Sequence, residues 1–135
     1  MSRILVVDDE EEIREMLARH FRLLDHDVAV SANGAEALEH LARNKVDIVI
    51  SDIRMPVLDG IGLLRAMRDQ YPMVRVIMTT GYVNLESALA CMRNRAETVV
   101  FKPFTDLGEL ELAVDRAREW LDRWQRKLSE LRVMA

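Results

Sequence analysis

The stretch "ISDIRMPVLDG", residues 50–60, decides how this chain folds. It enters as a buried β-strand, reaches an acid at Asp52, and breaks within a few residues into Met55-Pro56 and Asp59-Gly60. Pro and Asp-Gly are turn formers, so the strand must stop near Asp52. An acid at the tip of a strand, where a sheet opens into a loop, is placed to build a site. It can also do no more than cap the loop. The choice depends on which other side chains reach the same edge.

Outward from this stretch, short apolar runs alternate with helical patterns. Strands are expected at Arg3–Asp8, Val28–Ser31, Val46–Ser51, Val74–Thr80 and Thr98–Phe101. The runs at 4–7, 46–50 and 74–78 are nearly continuous in apolarity, as in parallel strands covered on both faces. Between them Ile13, Met16, Leu17, Phe21 and Leu24 recur at helical spacing, as do Ala37, Leu38 and Leu41. Ile61, Leu64 and Met67 follow the same period, and so do Leu85, Ala88, Leu89 and Met92. Five βα units in sequence give an α/β fold, a doubly wound parallel sheet with helices on both faces.

The whole chain sets the outer bounds. Its 135 residues, half of them apolar and 31% charged, suit one domain with a real core and exclude disorder. A net charge of −4 speaks against a nucleic-acid-binding surface. No apolar run approaches the roughly 18 residues of a membrane span. The N-terminal "MSRILVVDD" enters a strand directly, without a signal-peptide layout. Cys91 stands alone, which fits a reducing compartment. These features point to the cytoplasm, with neither membrane nor nucleic acid as a direct partner.

In doubly wound sheets, ligands bind beyond the carboxyl ends of the strands. Strand one ends "VVDDE", bringing Asp8 and Asp9 to that edge, and strand three brings Asp52. If strands one and three are neighbours, three carboxylates converge. At about 5 Å and an effective dielectric near 20, each ionised pair repels by roughly 3 kcal/mol. A cation or protons must offset that, and carboxylates with a backbone carbonyl are the ligands Mg²⁺ prefers. Asp8 and Asp9 alone could equally cap the helix starting near Glu11, but capping leaves Asp52 unexplained. Strand four ends "VIMTTG", offering a hydroxyl at Thr79 or Thr80, and strand five ends "VVFKPF", offering Lys102. A metal-bound carboxylate, an ammonium and a hydroxyl together can hold a phosphoryl group.

The set Asp8-Asp9, Asp52 followed by "MPVLDG", Thr80-Gly81 and "KPF" at 102–104 resembles the receiver domain of two-component response regulators, over about residues 3 to 120. That resemblance implies a sheet of order 2-1-3-4-5. It implies that Asp52 accepts a phosphoryl group from a sensor histidine kinase or phosphotransfer protein. Asp9, Asp52 and the backbone carbonyl of Arg54 would hold Mg²⁺, with Asp8 acting through water. Thr80, favoured over Thr79 by counting back from "ESAL", and Lys102 would contact the phosphoryl oxygens. The Lys102–Pro103 bond would be cis. The signal would leave through the face of helix 4, strand 5 and helix 5, or through the C-terminal helix.

Some positions depart from the family pattern. Val99 stands three before the lysine, where an aromatic is common. Arg95 precedes Ala96 where many relatives have Gly, so that turn must be built differently. Arg54 and Tyr82, two residues beyond Asp52 and Thr80, are bulky and flank the pocket. His20, His26 and His40 have no zinc-site spacing, and Cys91 reads as a packing residue.

The C-terminus overruns the domain. Leu107, Leu110, Val114, Ala117, Leu121, Trp124, Leu128 and Leu131 keep a 3-4 seam. A helix over 106–131 would be about 39 Å long, against about 17 Å for a five-residue strand, so its last turns must overhang. The expected division is a receiver domain at 1–120 and a helical extension at 121–135. The extension would form a coiled-coil homodimer, bind a partner helix, or fold back on its own domain. The chain would be a stand-alone regulator or the receiver portion of a longer one. Two other functions compete. A Mg²⁺-dependent phosphohydrolase of the haloacid dehalogenase type also uses an aspartyl nucleophile, but its Asp-x-Asp spacing is missing from "VVDDE" and "SDIR". A degenerate, unphosphorylated scaffold would lack some of the five site residues.

Overall fold

The computed structural model describes residues 1–82 and 84–134, so Ala135, the last residue of the expected extension, lies outside the described residues. Five strands, β1 (Arg3–Val7), β2 (Asp27–Ser31), β3 (Ile48–Asp52), β4 (Arg75–Thr80) and β5 (Thr98–Phe101), alternate with helices α1 (Glu11–Leu23), α2 (Gly34–Arg43), α3 (Gly60–Gln70), α4 (Leu85–Arg93) and α5 (Gly108–Met134). The sheet is parallel throughout, in the order β2-β1-β3-β4-β5. Strand three starts two residues later than expected and runs one further, so Asp52 belongs to the strand itself. Among the described residues no helix is long and apolar enough to cross a membrane.

Period-two alternation splits the core in two. Ile4, Val6, Ile50 and Ile77 face Leu17 and Phe21 of α1 and Leu110, Val114 and Leu121 of α5. Leu5, Val7, Val49 and Met78 face Leu41 of α2, Leu63 and Met67 of α3 and Cys91 of α4. Both faces being covered, β1 is apolar from Ile4 to Val7, just before Asp8, and β3 from Ile48 to Ile50, before Ser51 and Asp52.

Local chemistry sets the helix ends. Asn33, Asp59 and Asn84 cap α2, α3 and α4, their side chains accepting from Glu36 N, Gly62 N and Ser87 N. Gly60 is required at the start of α3. A Cβ there would collide with the Asp52 carbonyl and come within 2.9 Å of the Ile53 Cα. Helix α3 thus begins in backbone contact with the acid that ends β3.

The turn before β5, expected to be unusual at Arg95, is a Schellman motif. Arg95 N donates to Met92 O at 3.1 Å and Ala96 N to Cys91 O at 3.0 Å. Arg95 sits at φ 67, the left-handed region that favours glycine. Its side chain is exposed and has no hydrogen bond or ion pair among the described residues, and its backbone carbonyl accepts from Arg75 at 3.5 Å. Arg95→Gly should therefore raise unfolding stability by about 0.5–1 kcal/mol, read as a higher urea midpoint with an unchanged m-value. A lower midpoint would mean that the arginine side chain contributes more than its backbone costs.

Candidate functional site

The site is assembled at the carboxyl edge of four adjacent strands. The β1–β3–β4–β5 neighbourhood brings the ends of these strands side by side. Asp8 follows β1, Asp52 closes β3, Thr80 closes β4, and Lys102 follows β5.

Lys102 is the hub. Its Nζ donates to Asp8 Oδ2 at 2.8 Å and to Asp52 Oδ2 at 3.3 Å, with Glu10 Oε1 at 3.8 Å. Asp8 is 1% exposed and Asp52 6%, so these are desolvated charges held together by one ammonium. The Lys102–Pro103 bond is cis, as expected. Backbone groups finish the carboxylates: Glu10 N donates to Asp8 Oδ1 at 2.9 Å, and Ile53 N to Asp52 Oδ1 at 2.8 Å. The Arg14 guanidinium donates to the Asp8 carbonyl at 2.9 Å and ties α1 to the tip of β1.

Of the expected residues, the structure brings Asp8, Asp52 and Lys102 together. Asp9 is exposed and outside this group. Glu10 takes a place in it that the sequence did not reveal: carboxylate oxygens of Asp8, Glu10 and Asp52 lie within 4.8 Å of one another. Glu10 is also the N-cap of α1, without a side-chain capping bond. Its carboxylate is therefore free of the capping role considered for the acids before this helix. Three oxygen donors so close, two of them buried, suit a hard divalent cation.

Thr80 and Thr79 separate by alternation. Thr79 stands opposite Asp52 in the β3–β4 register, whereas Thr80 pairs with Phe101. The Thr80 hydroxyl donates to Tyr82 O at 3.2 Å and accepts from Tyr82 N at 2.9 Å, closing a turn at the strand end. Lys102 N donates to Thr80 O at 2.8 Å. Val99 packs among the residues facing α4, so no aromatic ring lies behind Thr80 from that position. At the mouth, the Arg54 guanidinium stacks over the Tyr82 ring, 3.9 Å from its centroid. A cavity of about 250 Å³ runs beneath them, lined by Ile53, Arg54, Asp59, Thr80 and Tyr82 among others.

Burial raises the Asp52 carboxyl above its ordinary value; the Lys102 ammonium opposes this and Asp8 reinforces it. Burial pulls the Lys102 ammonium down, but the Asp8 and Asp52 carboxylates outweigh it and the net shift is upward. A raised Asp52 means that the folded state binds the proton more tightly than the unfolded one. Its contribution to stability is present below the unfolded pKa and lost as pH rises through the folded one. Ionised Asp52 therefore weakens the fold at neutral pH. In metal-free buffer Asp52→Asn should raise Tm by a few degrees at pH 7, with the gain shrinking toward the unfolded carboxylate pKa near 4. A variant that melts lower at pH 7 would show that the Lys102 contact outweighs burial.

The chain is similar to known proteins in sequence and in fold. The family model for the response regulator receiver domain matches residues 4–115. The regulatory protein AtoC of Escherichia coli is 43% identical over 117 residues, 87% of this chain and 25% of AtoC. The DNA-binding transcriptional regulator NtrC of the same species is 38% identical over 84% of this chain and 24% of its own length. The chain thus spans about a quarter of these relatives. Among solved structures, the response regulator TrrA of Thermotoga maritima, in complex with Mg²⁺-BeF, superposes with a TM-score of 0.78. It is 33% identical, covering 87% of this chain and 99% of TrrA.

Proposed function

We propose that this chain, which belongs to the response regulator receiver domain family, takes a phosphoryl group onto Asp52 from the phosphohistidine of a sensor kinase or phosphotransfer protein. It is a phosphorylation-switched signalling domain, and the proposal concerns which residues do the work. The observation that carries it is the buried Asp52 carboxylate at the tip of β3, sharing the Lys102 ammonium with Asp8.

In the transfer, a carboxylate oxygen of Asp52 attacks phosphorus, the P–N bond to histidine breaks with its electron pair going to the imidazole nitrogen, and the P–O bond to Asp52 forms. Lys102, already 3.3 Å from Asp52 Oδ2, meets the added negative charge on the phosphoryl oxygens. The Thr80 hydroxyl, now spent on the Tyr82 backbone, can turn to donate to a phosphoryl oxygen. Mg²⁺, when bound, supplies positive charge against the oxygens of the incoming group. The family resemblance assigns its ligands to Asp9, Asp52 and the Arg54 carbonyl, with Asp8 through water. The grouping of Asp8, Glu10 and Asp52 supports a cation at this edge and adds Glu10 to the candidates.

Residues 1–120 form the receiver in this reading, and 121–135 an extension that carries the signal outward. The chain holds its phosphoryl group and does not turn over as a hydrolase. A cytoplasmic location goes with this reading, and the free thiol of Cys91 supports it. Incubation with a small phosphodonor and Mg²⁺, followed by intact mass, should add one retained phosphoryl to the chain and none to Asp52→Asn. Steady release of phosphate would support the phosphohydrolase, and an unchanged mass the scaffold. Asp9→Ala should lose the Mg²⁺-dependent phosphorylation while keeping its fold. If Glu10→Ala loses it instead, the ligands are those that the geometry gathers.

Arg54 and Tyr82 close the pocket mouth, and an attacking water needs in-line access to phosphorus. Arg54→Ala and Tyr82→Ala should each shorten the lifetime of the phosphorylated chain several-fold, read by loss of the added mass with time. Equal or longer lifetimes would place the stack outside the water's path.

A further inference from the structure

Helix α5 is 27 residues long, and its buried positions end at Leu121. Beyond that point the seam continues into solvent, with Trp124 49%, Leu128 46% and Leu131 59% exposed. Their spacing, i, i+4, i+7, is that of an amphipathic helix presenting anchors to a partner. The stem is held at its root before it leaves the domain. Arg118 reaches Ser2 Oγ at 3.3 Å and Asp47 Oδ2 at 3.6 Å, and Arg75 stacks over Trp120 at 4.5 Å. A stem fixed at its base loses little freedom on binding.

The charges beside the seam choose the occupant. Along 107–135 acids and bases balance at six each, but they are sorted. The stem after Leu121 carries four bases against two acids, so acids predominate over the sheet and bases in the overhang. With Leu121 and Leu128 at one seam position and Trp124 and Leu131 at the other, the flanking positions hold Gln125, Lys127 and Arg132 and no acid. A second copy alongside in parallel sets Lys127 against Arg132, and an antiparallel copy sets Lys127 near its own counterpart. Neither orientation finds an opposite charge. The Lys127–Glu130 pair at 3.2 Å is solvated on both sides and easily exchanged.

We propose that the overhanging stem of α5 is a docking site for an amphipathic helix of another protein, one whose apolar seam is flanked by carboxylates. Such a helix covers Trp124, Leu128 and Leu131 and pairs with Lys127 and Arg132. The proposal stands apart from the phosphorylation reading, and its test does not involve Asp52.

The test uses the full chain and two synthetic peptides of about four heptads with Leu along the seam, one with Glu and one with Lys at the flanking positions. Labelled-peptide anisotropy should show the Glu peptide binding at least about tenfold tighter than the Lys peptide, a preference that shrinks with added salt. Lys127→Glu with Arg132→Glu should reverse the preference, and Leu128→Asp should abolish binding of both. Sedimentation of the chain alone at tens of micromolar should show no association through the stem. Self-association lost in Leu128→Asp, equal affinity for the two peptides, or binding of neither overturns the proposal.

Discussion

One ammonium between two buried carboxylates is the constraint on which the rest depends. Asp8 and Asp52 stand at the ends of neighbouring strands, nearly free of solvent, and their mutual repulsion in that setting would otherwise part or protonate them. Lys102 sits two strands away from Asp52, so the contact can exist only if β4 and β5 are paired in their observed register. The backbone bond from Lys102 N to Thr80 O fixes that register up to the last residue. The sheet's edge order is thus read out in one charge cluster, and a slip of one residue in β5 would remove the lysine from it.

Much of this was legible in the sequence because the sheet is covered on both faces. The apolar runs of β1, β3 and β4 need that double cover, and a residue type that the site uses closes β3 and β4 and directly follows β1. Strand order was not legible from periodicity, since alternating βα units fit several orders; the family resemblance supplied it. Glu10 escaped notice because its approach depends on how the backbone turns after β1, where Asp8 Oδ1 takes its N–H. From the sequence it reads as one more acid before a helix.

The cross-links that root α5 were also out of reach. Arg75 pairs with Glu97 and stacks on Trp120, and Arg118 reaches back to Ser2, more than a hundred positions away. Such contacts join surface charges to chain segments brought near only by the fold. Arg95 shows the converse. A residue with no visible reason to stand where glycine is common occupies a left-handed position that the Schellman bonds impose.

The length of α5 also makes it a lever. From Leu121 to Met134 the free arm extends about 20 Å, while its root is packed on the same sheet that ends in Asp52 and Lys102. A tilt of about ten degrees at that root, too small to break the core contacts, would carry the tip sideways by roughly 3 Å, more than half a helical turn of rise. The arm turns a sub-ångström repacking under the helix into a displacement on the scale of a side chain, delivered at a distance from the pocket where it began.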